Sequence, residues 1–169
     1  MAPPAPAVHS VTDLLARAIG IEREAADRYA EFARFMQDRG RDELADLFAQ
    51  LARLEHDHAR VIEAWLGEVN PPVPVEAAFH WLESGPPSPA AHEWLLRLMG
   101  PRDALAIALS AEQRAQRFFA ELAQQADDDG VRRMASELAE EEAEHAARLE
   151  RVLAAEPDPR IDWERVFDG

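Results

Sequence analysis

The chain has 169 residues, room for one domain of ordinary size and too few for two. Eighteen basic residues, all of them Arg, face 33 acidic ones, a formal charge of −15 that excludes a phosphate-binding surface and so argues against nucleic acid and anionic membrane as partners. Cysteine is absent, which rules out disulfides, iron–sulfur clusters, zinc–thiolate sites and a cysteine nucleophile, and fits a reducing cytoplasm.

Residues 1–10 form an N-terminal arm, Met1-Ala2-Pro3-Pro4-Ala5-Pro6 onward, without the basic and apolar regions of a signal peptide. No apolar run approaches membrane-spanning length, and a cytoplasmic location is expected. Four long segments then carry the 3.6-residue periodicity of helices, and almost nothing carries the alternation of a strand, so the chain reads as all-α. The first helix is expected over 11–39. It opens after Ser10 with Asp13 placed for a capping box, shows the stripe Leu15, Ala18, Ala25, Tyr29, Phe32, Met36, and stops at Gly40. The second, over 42–66, carries Leu44, Leu47, Phe48, Leu51, Val61, Ile62 and Trp65 and stops at Gly67. The third, over 102–126, opens on Pro101 and carries Leu105, Ala108, Ala115, Phe119 and Leu122. The fourth, over 131–155, carries Val131, Met134, Ala135, Leu138, Leu149 and Val152 and ends before Pro157.

Helices of about 25 residues are roughly 37 Å long. Short joints after the first and third force two antiparallel hairpins. The middle joint, residues 67–100, is long enough to run the length of a bundle. It is rich in proline (Pro71, Pro72, Pro74, Pro86, Pro87, Pro89), with short helices expected around 75–83 and 90–99. Trp81, Trp94, Leu95 and Leu98 favour a packed crossover over a free linker, which gains nothing from apolar bulk. The acidic tail, 157–169, with Ile161, Trp163, Val166 and Phe167, is expected to dock on the bundle or on a neighbouring subunit. The expected architecture is a single domain over 1–169, a four-helix bundle of two antiparallel hairpins joined by a long crossover.

The informative residues interrupt the apolar stripes. Glu22 lies between Ala18 and Ala25, Glu55 and His58 between Leu51 and Val61, Glu112 between Ala108 and Ala115, and Glu142 and His145 between Leu138 and Leu149. Every helix thus points at least one carboxylate at the core. An unpaired buried carboxylate costs several kcal/mol, and four at one level repel one another. The stripes hold no Arg at that level, whereas two divalent cations neutralise four carboxylates. Glu-x-x-His sets both side chains on one helical face, one turn apart, so that they share or flank a metal. Four carboxylates and two imidazoles suit iron or manganese and are too oxygen-rich for copper(I). The alternative is a bundle whose core Glu and His only hydrogen-bond one another, an arrangement hard to stabilise with six such groups.

A single Glu-x-x-His is weak evidence; the internal repeat is stronger. Leu51-Ala52-Arg53-Leu54-Glu55-His56-Asp57-His58-Ala59 superposes on Leu138-Ala139-Glu140-Glu141-Glu142-Ala143-Glu144-His145-Ala146, and Glu22 through Tyr29 on Glu112 through Phe119. Two hairpins with the same polar intrusions build a pseudo-two-fold site at their interface.

These stretches together resemble the ferritin-like diiron proteins, and most closely the rubrerythrin branch. The resemblance covers about residues 12–153 and implies a ferritin-like four-helix bundle around two iron ions, with manganese as the alternative. It further implies that Glu22 and His58 are terminal ligands of one iron, Glu112 and His145 of the other, and that Glu55 and Glu142 bridge them. Two departures stand out. Rubrerythrins often carry a rubredoxin domain, for which this chain has neither cysteine nor spare length, so electrons are expected from an external donor protein. Rubrerythrins also tend to place an extra Glu one turn after the third-helix ligand, where this chain has Ala115.

Around the six ligands, Glu141 is placed to reach His58 across the bundle, while its repeat counterpart Leu54 has nothing to offer His145, so that the two metal positions differ. Tyr29 returns to the face of Glu22 and is placed to hydrogen-bond a ligand carboxylate, which Phe119 cannot do. Glu24, Asp27, His56, Asp57 and Glu144 sit off the stripes and read as a solvated face; His9, His80 and His92 receive no role. The expected activity is oxidation of Fe²⁺, or reduction of O₂ or hydrogen peroxide, in iron handling or oxidative-stress defence, by a homodimer or larger homo-oligomer. A metal-storage module without turnover and a metal-free scaffold that binds a partner are the alternatives.

Overall fold

The computed structural model describes residues 11–69 and 98–158. They form four helices: α1 (Val11–Gln37), α2 (Asp42–Val69), α3 (Pro101–Gln125) and α4 (Asp129–Ala155). The N-terminal arm, most of the crossover with its expected short helices, and the tail from 159 onward lie outside the described residues, as do His9, His80 and His92.

Local chemistry sets the helix ends. Gly40 adopts φ +66°, the left-handed conformation that glycine reaches without a Cβ penalty. With it, Gly40 N–H donates to Gln37 O at 3.0 Å and Arg41 N–H to Met36 O at 2.9 Å, a Schellman ending that closes α1 two residues before the expected 39. Gly67 does not stop α2, which continues to Val69. A glycine within a helix costs only about 1 kcal/mol relative to Ala, less than neighbouring turns supply. Pro101 opens α3, and the Gly100 N–H donates to Asp103 Oδ2 at 2.8 Å. Asp128 caps α4 by accepting from Val131 N–H at 2.9 Å, which starts that helix two residues before the expected 131.

The connections 38–41 and 126–128 fold α1 onto α2 and α3 onto α4. The apolar stripes then meet in two separate clusters. One draws Leu15, Ala18 and Ile19 from the start of α1, Ile62 and Leu66 from the end of α2, Phe119 and Leu122 from the end of α3, and Met134 and Leu138 from the start of α4. The other joins Tyr29, Phe32 and Met36 to Leu44, Phe48 and Leu51 and to Ala104, Leu105, Ala108 and Leu149, the opposite ends of the same helices. It follows that α1 runs antiparallel to α3 and that α2 ends at the opposite end of the bundle from the start of α3. This is the up-down-down-up order of a ferritin-like four-helix bundle with one long crossover. The hairpins are tied at one end by a bidentate ion pair, in which Arg41 donates to Glu156 at 2.8 and 2.7 Å. Leu98, within the crossover and expected to help pack it, is instead exposed.

Candidate metal centre

Between the two apolar clusters lies a polar layer. Glu22 on α1, Glu55 and His58 on α2, Glu112 on α3, and Glu142 on α4 are all buried, the four carboxylates to 2 % exposure or less; His145 on α4 is half-buried. Helical spacing accounts for this. Glu22 is seven residues before Tyr29 and Glu55 four after Leu51, so continuing each stripe along its helix carries the acidic group inward.

The two imidazoles stack, with ring centroids 5.7 Å apart and planes 8° from parallel. His58 Nδ1 faces Glu22 Oε2 at 3.4 Å, Glu55 Oε2 at 3.2 Å and Glu142 Oε1 at 3.1 Å. His145 Nδ1 faces Glu55 Oε1 at 3.1 Å, Glu112 Oε2 at 3.2 Å and Glu142 Oε2 at 3.8 Å. Glu55 and Glu142 therefore present one oxygen to each histidine, while Glu22 serves only the first and Glu112 only the second. The donor atoms fall into two groups, Glu22, Glu55, His58, Glu142 and Glu55, Glu112, Glu142, His145, each able to hold a metal with all its donor atoms within 4.8 Å of one another.

Hydrogen bonds do not satisfy this layer. Glu22 Oε1, Glu55 Oε1, Glu142 Oε1 and His58 Nδ1 are buried and lack a hydrogen-bond partner. Orphaned polar atoms of this kind cost free energy wherever nothing else meets them. The charges are equally unbalanced. Burial above all, with neighbouring Glu55 adding to it, pushes the Glu22 carboxyl well above its ordinary value; burial and then the charges of Glu55 and Glu22 do the same to Glu142. Burial also acts against ionised Glu55, but the facing imidazoles of His145 and His58, 3.1 and 3.2 Å away, outweigh it and hold that carboxyl down to about 2. The imidazoles respond in kind: burial works against the His145 cation, yet Glu112 and Glu55 raise it to about 9, and Glu142, Glu22 and Glu55 raise His58 further still. A set of carboxylate oxygens and imidazole nitrogens pointed inward, four of them without a hydrogen-bond partner, fits hard to borderline divalent cations such as iron and manganese.

Glu141 and Tyr29 stand around this layer. His58 Nε2 lies 2.6 Å from Glu141 Oε2, and Glu141 itself is half exposed. The equivalent of Glu141 in the first hairpin is Leu54, which has no acceptor. The Tyr29 hydroxyl is buried and donates to Glu112 Oε1; burial first, then the Glu112 charge, raises its pKa well above the ordinary value. Beside Tyr29, a cavity of about 10 Å³ opens between Ala25, Ala111 and Ala115 on the α1–α3 face, lined also by Glu22, Glu55, Glu112 and Glu142. That is about the space one water-sized molecule needs. Ile21 and Ala111 are the members of this wall that the sequence pattern did not single out, because aliphatic side chains near an apolar stripe read as packing. Among the off-stripe residues, Asp27, His56, Asp57 and Glu144 are exposed and Glu24 is half-buried.

The chain's likeness to known proteins agrees with this geometry. The family profile for rubrerythrin matches residues 13–153. A crystal structure of an uncharacterized conserved protein from Magnetospirillum magnetotacticum MS-1 is similar at 29 % identity and a TM-score of 0.75, over 90 % of this chain and 99 % of that one. No curated protein matches the sequence. No helix among the described residues is long and apolar enough to cross a membrane. With the profile spanning all four helices and every one of the six inward-facing Glu and His residues, the chain belongs to the rubrerythrin family.

Proposed function

We propose that this protein is a non-haem diiron oxidoreductase that couples Fe²⁺ oxidation to reduction of hydrogen peroxide or O₂. In this reading Glu22 and His58 would hold one iron, Glu112 and His145 the other, and Glu55 and Glu142 would serve both. The observation that carries it is the sharing of Glu55 and Glu142, one oxygen toward each histidine, in a layer where four buried polar atoms lack a hydrogen-bond partner. Two adjacent iron ions, when bound, supply one electron each to an O–O unit, chemistry that no side chain of this site provides by itself.

The chain's own residues do the rest. Both imidazoles offer Nδ1 inward, and Glu141 fixes the other nitrogen of His58. Tyr29 holds Glu112 through its Oε1 and leaves Oε2 facing His145. Protons held on Glu22 and Glu142 leave as cations enter, because ligands bind deprotonated. The cavity walled by Ala25, Ala111 and Ala115, with neither histidine in its lining, reaches the four carboxylates with space for about one water-sized molecule, and the apolar clusters above and below exclude bulk water. With no cysteine in the sequence, re-reduction draws on an external electron donor protein.

Stopped-flow mixing tests the reaction. Protein loaded anaerobically with Fe²⁺ is expected to develop ferric absorbance on mixing with peroxide, consuming one peroxide and two protons per two Fe²⁺ and releasing two waters. Oxidation no faster than that of free Fe²⁺ in the same buffer would remove the oxidoreductase assignment.

A further inference from the structure

Although the repeat gives the two metal positions the same ligand types, their surroundings differ in two respects. His58 Nε2 is held at 2.6 Å by the carboxylate of Glu141, whereas the repeat places Leu54 at the matching position near His145. An anionic acceptor on the distal nitrogen fixes the ring orientation and makes the inward nitrogen a stronger donor. The second difference concerns the terminal carboxylates. Tyr29 donates its hydroxyl hydrogen to Glu112 Oε1, so one of the two oxygens of that carboxylate is already engaged. Its repeat counterpart, Phe119, has no donor, and Glu22 Oε1 is buried without a partner. A carboxylate oxygen that already accepts a hydrogen bond has less charge to offer a cation. Both differences act in one direction: the better imidazole and the freer carboxylate are on the same side.

We infer that the two metal positions are unequal, that the one built on Glu22 and His58 fills first, and that Glu141 and Tyr29 set this order. The inference rests on the dinuclear reading above. Glu141 touches neither metal position; it is a positioning residue acting through His58. Because it is half exposed, its removal leaves no hole in the core. Ordered filling lets a single ion occupy the protein at low metal supply, so that electron-pair chemistry waits for the second ion.

Anaerobic titration of chelator-stripped protein with Co²⁺, followed by calorimetry and by the visible bands of the bound ion, reads each step. Two ions per chain are expected, the first tighter by about 10–100-fold, the range an outer hydrogen-bond partner typically commands. Glu141→Ala should weaken the first step by that factor and leave the second unchanged, with Glu141→Gln falling between because it keeps an acceptor without the charge. Tyr29→Phe should tighten the second step and leave the first unchanged. Two ions bound with equal affinity by the unaltered protein, or a Glu141→Ala variant weakened equally at both steps, would overturn the inference while leaving the dinuclear reading intact. Absence of Co²⁺ binding would overturn both.

Discussion

Glu22 and Glu142 are carboxyl groups held in a place where ionisation is penalised, and His58 and His145 are imidazoles held where protonation is favoured; in the metal-free protein each retains protons that the unfolded chain would release. The sign of the consequence is fixed. Where the folded state binds more protons than the unfolded one, stability falls as pH rises. For the two carboxyls this loss begins above their ordinary value of 4.5. For His145 the contribution is complete below 6.5 and is lost as pH rises through about 9. Glu55 acts oppositely, since a pKa held at about 2 gives stability that is present above 4.5 and is lost only in acid. Chelated protein is therefore expected to melt at progressively lower temperature as pH is raised from 6.5 to 9. Protein saturated with Mn²⁺ should show the reverse trend, because the same protons compete with the metal. Parallel trends in the two forms would contradict this. All six inward residues were legible in the sequence because each breaks an apolar stripe at helical spacing. Their atom-level roles were not, since which oxygen of Glu55 faces which histidine depends on rotamers that periodicity does not encode.

At the scale of the element, the polar layer stays in register only if each hairpin holds its helices at fixed height. Asp128 does this for the second hairpin by meeting the Val131 N–H at 2.9 Å, at a helix start that otherwise leaves donors unsatisfied. Asp128→Ala is expected to lower stability by about 1 kcal/mol, the usual cost of losing such a cap, as measured by urea denaturation. Asp128 is exposed and its side chain meets the Val131 N–H at the helix start, away from the level of the inward Glu and His residues, so the number of metal ions bound should not change. A loss of stoichiometry in this variant would mean that the layer depends on the helix start more than its packing implies. Punctuation was only partly readable in the sequence. Pro101 and Gly40 act as their chemistry requires, one opening a helix and the other ending one in a left-handed conformation. Gly67 carries the same letter as Gly40 without the positive φ, and α2 runs through it. The ties of Arg41 to Glu156 and of Arg102 to the carbonyls of Leu153 and Glu156 join segments far apart in sequence, and no local pattern announces them.

Over the whole molecule, two apolar clusters separated by a charged layer are an uneconomical way to fold a small bundle. A continuous core of the same length would bury apolar side chains at that level, each worth about 1.5–3 kcal/mol, in place of groups that resist burial. The duplicated pattern of Glu and His places this layer at the interface of the hairpins, where each helix contributes and where two shared carboxylates lie between two histidines. The all-α class and the hairpin pairing follow from periodicity and joint length, which is why they could be anticipated. Anomalous diffraction from crystals grown with Mn²⁺ bears most directly on the claim that paired cations hold this layer together. Two peaks per chain are expected, about 3.5–4 Å apart as in other two-metal sites, one beside Glu22 and His58 and one beside Glu112 and His145, with Glu55 and Glu142 between them. A map with no peak in the layer, or a single peak at full metal saturation, would contradict it.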